Sequence, residues 1–406
     1  MSTTNEVNGS YLRLNDFCSN VEVIDQSSFS SDGERIKALA AVYRLIGRLE
    51  TPWDTVARLC MTEEPALFAS LKIARDLQLF EEWNRVKEDA VCSDKELADL
   101  VSCDAILLRR VLAHLAATNM LENPADGQYK PTAFSKALLQ PVFGEWINYL
   151  YDSLIPCFHK APEYLARTEY KNPTDPNNGI FQDTKKFTGS LFEYYDTHPE
   201  EGKSFNNVMG GVMANQAGML DIYPLENLMG PVGDDQETAL LVDVGGNVGH
   251  DINKLLSKSP SLAPRLVLQD REDVVRLAKC PPDVTVMAHD FFTPQPVKGA
   301  RAYYLHGVIH DWADAEAGRI LGHLRDAMTT GYSKLLIHDH VLPERNSHPQ
   351  ATAYDLTMMV KVSAFERTES TWRELLRSVG FNVIRIWTSP LATQSVIEAE
   401  PMSSEQ

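Results

Sequence analysis

The chain has 406 residues, of which 44% are hydrophobic and 23% charged, and it carries a formal net charge of −18. That length leaves room for two domains with sizeable cores, and the composition excludes wholesale disorder. So acidic a surface repels phosphate backbones and anionic bilayers, which counts against nucleic-acid or membrane partners.

No stretch approaches the roughly 20 apolar residues that a spanning helix needs, and the amino terminus is polar rather than basic and then apolar. Cys18, Cys60, Cys92, Cys103, Cys157 and Cys280 are scattered without a Cys-x-x-Cys pair, so neither a disulfide framework nor a zinc ribbon is expected. Reduced thiols and a cytoplasmic location are the expectation.

Residues 1–33 are rich in Ser, Thr, Asn and Asp and read as a mobile tail. From 34 to 140 apolar residues recur three and four apart. Ser93-Asp94-Lys95-Glu96 is a capping box, and Asp104 is placed to cap a helix carrying Leu108, Val111, Leu112 and Leu115. Asn123 to Gly127 then turns into a short strand, so the segment resembles a winged-helix unit with a structural or dimerising role. Residues 141–225 read as further helices and a substrate-pocket segment rich in aromatic and Met residues, among them Phe158, Met209 and Met213. Such enrichment is more often core than pocket.

From 226 to 397 the period changes. Apolar strands at 239–244, 265–269, 284–288, 301–305, 334–337 and 381–387 alternate with helical stretches, which predicts a mostly parallel sheet covered by helices. The fold class is therefore α/β, a Rossmann-like domain preceded by a helical one. Ligands bind such sheets outside the carboxyl ends of the strands. There stand Gly245 and Gly246 after the first strand, Asp270 after the second, Asp290 and Phe291 after the third, and His306 to Asp311 after the fourth. Glycine after a strand is by itself only a turn. Two acids with an adjacent aromatic suit an adenosine, with Asp270 toward the ribose, and no Gly-Lys-Ser/Thr is present to hold a triphosphate.

Asp243-Val244-Gly245-Gly246, Asp290-Phe291-Phe292, His310-Asp311-Trp312, Val341-Leu342-Pro343 and Phe365-Glu366-Arg367-Thr368 follow one another in this order. The ordered set resembles the class I S-adenosylmethionine-dependent O-methyltransferases, in particular the fungal secondary-metabolite branch related to plant caffeate and flavonoid enzymes. The resemblance spans roughly 35–387 and implies S-adenosyl-L-methionine held by Gly245, Gly246, Asp270, Asp290, Phe291 and His306. It also implies His310 as general base with Asp339 and Glu366 beside it, a pocket reached by Ile309 and Met359, and a homodimer. Three departures stand out: Asn247 replaces a glycine, His306 occupies a place usually held by Arg or Lys, and Asp339 replaces the more usual Glu.

The chemistry agrees with that assignment. A phenol or enol is mostly protonated at neutral pH, and histidine, with an ordinary pKa near 6.5, is the side chain suited to taking its proton. A sulfonium brings its own reactivity, so no metal is expected. His338-Asp339-His340 and the pair His306 and His310 can share a face without any ion. The leading expectation is methyl transfer to a hydroxyl of an aromatic or polyketide-type small molecule. A second is a pericyclase or dehydratase on the same fold, in which the sulfonium acts electrostatically. A third is a ligand-sensing transcriptional regulator, which the sparse basic charge between Asp104 and Leu121 opposes.

Overall fold

The computed structural model describes residues 14–62, 64–229, 238–345, 347–389 and 392–403; the side chains of residues 61, 62, 64 and 213–215 lie outside that description. By their contacts, Met1–Ala57 and Arg58–Gln406 are separate units. The first holds α1 (Leu14–Glu22), α2 (Asp32–Leu49) and α3 (Pro52–Val56). Residues 14–22 are thus helical where a mobile tail is expected, and Ser31 caps α2 through Glu34. No residue of α1 or α2 is buried, and the unit ends at Ala57 rather than at 33.

The second unit opens with α4 (Glu64–Asp76), α5 (Leu79–Lys87), β1 (Cys92–Ser93), α6 (Asp94–Leu100) and α7 (Ala105–Ala117), then β2 (Leu121–Ala125) and β3 (Gln128–Pro131). Both caps form as expected: Ser93 and Glu96 close a capping box, and the Asp104 carboxylate accepts from Leu107 N at 2.8 Å. The three strands make a small antiparallel sheet in the order β1-β3-β2. Leu97, Leu108, Leu112, Leu115 and Tyr129 join it to the helices in one core.

Next come α8 (Ala133–Ala137), α9 (Pro141–Tyr149), α10 (Ile155–Arg167), α11 (Ile180–Lys185), α12 (Leu191–Thr197), α13 (Pro199–Asn215) and α14 (Leu225–Leu228). The large sheet then follows as β4 (Leu241–Val244), α15 (His250–Lys258), β5 (Leu266–Asp270), α16 (Glu272–Val275), β6 (Thr285–Ala288), β7 (Ala302–His306), α17 (Asp314–Arg325) and β8 (Lys334–Asp339). A short β9 (Val341–Leu342) precedes α18 (Pro349–Val362), and β10 (Arg367–Thr368), α19 (Glu369–Ser378), β11 (Phe381–Trp387) and β12 (Ser395–Pro401) complete the chain.

Strand order in the seven-stranded sheet is β11-β12-β8-β7-β4-β5-β6, with β4 to β8 mutually parallel and β12 antiparallel to both its neighbours. After β4 the chain builds outward to β5 and β6, then returns to place β7 on the other side of β4. The order therefore reverses between β4 and β7, where such sheets open a ligand crevice. Alternation sends Val242, Leu305, Leu335 and Ile337 to one face, against α17 and α19. On the other face Leu241, Leu268, Tyr304 and Leu336 pack against Ile252, Leu255 and Leu256 of α15. Burying each such side chain contributes about 1.5–3 kcal/mol, which makes the strand ends a rigid platform.

Candidate active site

Gly245, at φ +76°, opens the turn after β4 in a conformation that glycine adopts without strain. A Cβ there would lie 2.9 Å from Val308 Cγ2, so the turn also sits closely against the segment that follows β7. Asn247 takes φ +54° and keeps the turn that a glycine would make. Its N–H donates to Asp270 Oδ2 at 2.8 Å, while Arg271 N–H donates to Oδ1 at 2.7 Å. Asp270 thereby ties the end of β5 to the glycine turn. Burial raises its pKa, opposed by those two N–H groups.

Asp290 is exposed after β6 and accepts from Phe292 N–H at 2.9 Å. Phe291 packs against the sheet core and lies 3.7 Å from where a Gly245 Cβ would be. An unencumbered backbone turn, two carboxylates with lone pairs to spare and an aromatic ring thus meet at the switch point. This donor and acceptor set fits an adenosine cofactor.

His306 does not join them. It is 6% exposed, with Nδ1 at 2.6 Å from Asp251 Oδ2 and Nε2 at 3.0 Å from Gln394 Oε1. With both ring nitrogens engaged inside the protein, it has no hydrogen bond left for a cofactor, which corrects that expectation.

Across the switch point, Ile309–Asp311 forms a 3₁₀ turn that presents His310. Its Nδ1 lies 2.8 Å from Glu366 Oε1 and 3.9 Å from Asp339 Oδ1. Because the carboxylate accepts, Nδ1 carries a proton and Nε2 is the nitrogen left for chemistry. Nε2 lies 3.7 Å from Asp311 Oδ1, beyond hydrogen-bond reach. Gly307, at φ +60°, leaves the approach open: a Cβ there would sit 3.6 Å from Nε2.

Burial works against a charged His310, yet Glu366, Asp339 and Asp311 outweigh it and hold the imidazole well above its ordinary pKa. Glu366 answers in kind: burial would raise it, but His310 keeps it below the usual carboxylate range. Asp339 is fully buried with neither oxygen hydrogen-bonded among the described residues, and burial pushes it up to about 7. Asp311 is pushed up to about 6, again by burial. In the free protein the cluster is an imidazolium–carboxylate pair with two further acids close to protonation.

Glu366 reaches His310 because β9 and β10 pair in parallel, Arg367 opposite Val341, just after Asp339. Arg367, 1% exposed, clamps the turn from the other side, donating to Ile309 O at 3.3 Å, Trp312 O at 2.8 Å and Asp314 Oδ1 at 2.7 Å. Sequence reasoning gave Arg367 no role, although it stands beside Glu366 in a motif already singled out. The expected pocket residues are dispersed. Ile309 is fully buried in the sheet core, Met209 packs on Tyr149 and Val208, and Met359 packs on the core of α10 to α12. Phe158 is 36% exposed, and the Met213 side chain lies outside the described residues.

Comparison with known proteins decides the family. The profile of the O-methyltransferase domain family matches residues 173–382. O-methyltransferase mfmE of Annulohypoxylon moriforme is 54% identical over 400 residues, covering 98% of this chain and 99% of its own. The chain belongs to the O-methyltransferase family. Within it, the chain is a class I O-methyltransferase of the fungal secondary-metabolite branch, and its cofactor is S-adenosylmethionine. Among solved structures, the LepI complex with S-adenosylmethionine superposes with a TM-score of 0.86 at 27% identity, over 96% of this chain and 99% of that one. A structure described as a pericyclic reaction enzyme gives the same figures.

Proposed function

We propose that this O-methyltransferase methylates a phenolic or enolic hydroxyl of an aromatic or polyketide-type small molecule, with His310 as general base. The observation that carries the reading is the imidazole itself: Nδ1 is fixed on buried Glu366 and Nε2 faces the space kept clear by Gly307. The Gly245–Gly246 backbone, Asp270, Asp290 and Phe291 are the groups to hold the cofactor, whose sulfonium supplies an activated methyl group. Nε2 takes the acceptor's proton, Glu366 stabilises the imidazolium that results, and the rigid turn aligns the oxygen. Asp339 adds negative charge behind the ring without bonding to it.

One observation favours the second reading, a dehydratase or pericyclase. The carboxylates around His310 keep it protonated in the free protein, and that is the form an acid catalyst needs. The two readings part on pH, because a base works only when deprotonated and an acid only when protonated. Incubation with methyl-labelled S-adenosylmethionine and a panel of phenolic and polyketide metabolites tests them. Label should enter product at a rate that climbs with pH and falls about 10²–10⁴-fold in His310→Ala. Unlabelled product formed without S-adenosylhomocysteine would select the alternative.

The helical segment before residue 140 is taken to be winged-helix-like and structural. Arg109, one of the few basic residues between Asp104 and Leu121, is committed to Asp126 at 3.1 Å and Asp94 at 3.5 Å. A homodimer is supported by the apolar stripe Leu39, Val42, Tyr43, Ile46 and Leu49 on α2, every member of which is exposed. No described helix is long and apolar enough to cross a membrane. The six cysteines are all unpaired, which supports a reducing, cytoplasmic setting.

A further inference from the structure

Near the carboxyl end of β8, at His338, lies a cavity of about 390 Å³ that none of the expected pocket residues with described side chains lines. Its walls include Val142, Phe143 and Trp146 of α9 and Tyr354 of α18, and its floor includes His338 and Gln394. It opens at the same strand ends as the active site. Asp339 turns toward His310 while its neighbour His338 turns to the opposite face, and Tyr354 packs edge-on against His340 at 5.2 Å.

The floor carries a proton arrangement that can be worked out. Tyr304 is fully buried, and the one hydrogen bond of its hydroxyl among the described residues, 2.7 Å long, runs to His338 Nδ1. A buried hydroxyl with a single partner donates to it, so Nδ1 accepts and the proton of neutral His338 sits on Nε2. Burial and the neighbouring His306, stacked at 3.9 Å, drive the His338 pKa well down and keep the ring neutral. His338 is 0% exposed, and its Nε2 has no partner among the described residues. That leaves an unpartnered buried N–H on a residue that lines the cavity.

Gln394 tells the same story. Asp251 holds His306 as an imidazolium against the cost of burial, so the second N–H of His306 occupies Gln394 Oε1. The amide NH₂ of Gln394, 6% exposed, is then its only group left to face the cavity. One fully buried donor, a second on a largely buried amide and no committed acceptor make a floor for oxygen.

We propose that this cavity is a subsite for an acceptor oxygen, the carbonyl, carboxylate or enolate of a ligand whose apolar body lies between Trp146 and Tyr354, held by His338 Nε2–H and Gln394 Nε2–H. It rests on the methyl-transfer reading for its main source, the oxygenated end of the methyl acceptor. The amino-acid carboxylate of the cofactor is the other source of the same chemistry. An unmet buried donor such as His338 Nε2–H is costly, and a charged hydrogen bond to it recovers that cost.

The test uses the full chain loaded with S-adenosylhomocysteine, with 2,4-dihydroxybenzoate and resorcinol as matched probes in calorimetry. Gln394→Glu is the decisive variant, because it keeps an acceptor for His306 and removes the donor. The wild type should bind the benzoate about tenfold more tightly than resorcinol, and Gln394→Glu should abolish that preference while binding S-adenosylhomocysteine as before. A variant that instead loses S-adenosylhomocysteine affinity about tenfold, with the probe ratio unchanged, assigns the donors to the cofactor's carboxylate. Ring ¹⁵N shifts give an independent reading, with His338 expected as the neutral tautomer protonated on Nε2. A proton on Nδ1, or a variant that changes neither affinity, overturns the subsite. If no labelled methyl reaches any acceptor while the benzoate preference holds, the function assigned above fails and the subsite stands.

Discussion

At the scale of single residues the active site is a contest over one proton. His310 is surrounded by Glu366, Asp339 and Asp311, and their summed charge raises its pKa above 6.5 despite burial. If His310 is the base proposed above, it must start neutral, and kcat/KM for the acceptor should show an acid limb lying above pH 6.5. Glu366 is the first of the three carboxylates in effect, so Glu366→Gln should move that limb to lower pH. The same change loosens the 2.8 Å contact that fixes the ring, so the plateau rate should fall about tenfold or more. A pH–rate profile checks both at once, and an unmoved limb would mean that another group is titrating. Asp270 offers a second test, because its two carboxyl oxygens already hold the glycine turn through Asn247 and Arg271. Asp270→Ala should weaken S-adenosylhomocysteine binding by about 2 kcal/mol in calorimetry. Asp290, exposed and with its carboxylate bonded only to Phe292 N–H among the described residues, should cost less when replaced.

Elements decide whether those residues meet. Glu366 and His310 are 56 positions apart in sequence and come together because β10 docks on β9 and Arg367 grips the 3₁₀ turn. Arg367→Met keeps much of the side chain's bulk but removes the Arg367 donor from the Trp312 carbonyl and leaves the Ile309 carbonyl with only the Trp312 N–H. The expected outcome is a destabilisation of about 3 kcal/mol in urea unfolding, with kcat reduced more than KM is raised, since the ring rather than the pocket is displaced. Six of the seven strands were legible in sequence, because near-continuous apolar runs between helical stretches have few other readings. β12 was not, since Glu398 interrupts its apolar run and becomes acceptable only beside Lys334, Tyr223 and Trp387. His306 was misassigned for a similar reason. Its partners Asp251 and Gln394 lie 55 and 88 positions away, and no local pattern announces either. The His310, Asp339 and Glu366 set was legible through ordered motifs, whereas the distribution of the pocket residues depends on how α9, α13 and α18 converge.

For the molecule as a whole, charge and apolar surface pull in opposite directions. A chain of net charge −18 repels its own copies, while α2 displays Leu39, Val42, Tyr43, Ile46 and Leu49 three and four apart, from 38% to 66% exposed. Such a stripe is the spacing of a helix that packs on another helix. If two copies associate through it, burial must supply the affinity and electrostatics must oppose it. Raising salt should then tighten the dimer by screening like charge, the reverse of what an ion-paired interface would do. Light scattering should give twice the 45.5 kDa chain mass at micromolar concentration. The double variant Val42→Asp and Ile46→Asp should release monomers, since it places four new carboxylates at the seam of a symmetric pair. Its S-adenosylhomocysteine affinity, which on the proposal above depends on residues of the other unit, should stay within about twofold of the wild type. A wild-type chain that remains monomeric at every concentration, or a variant that dimerises unchanged, would show that the stripe serves some other contact.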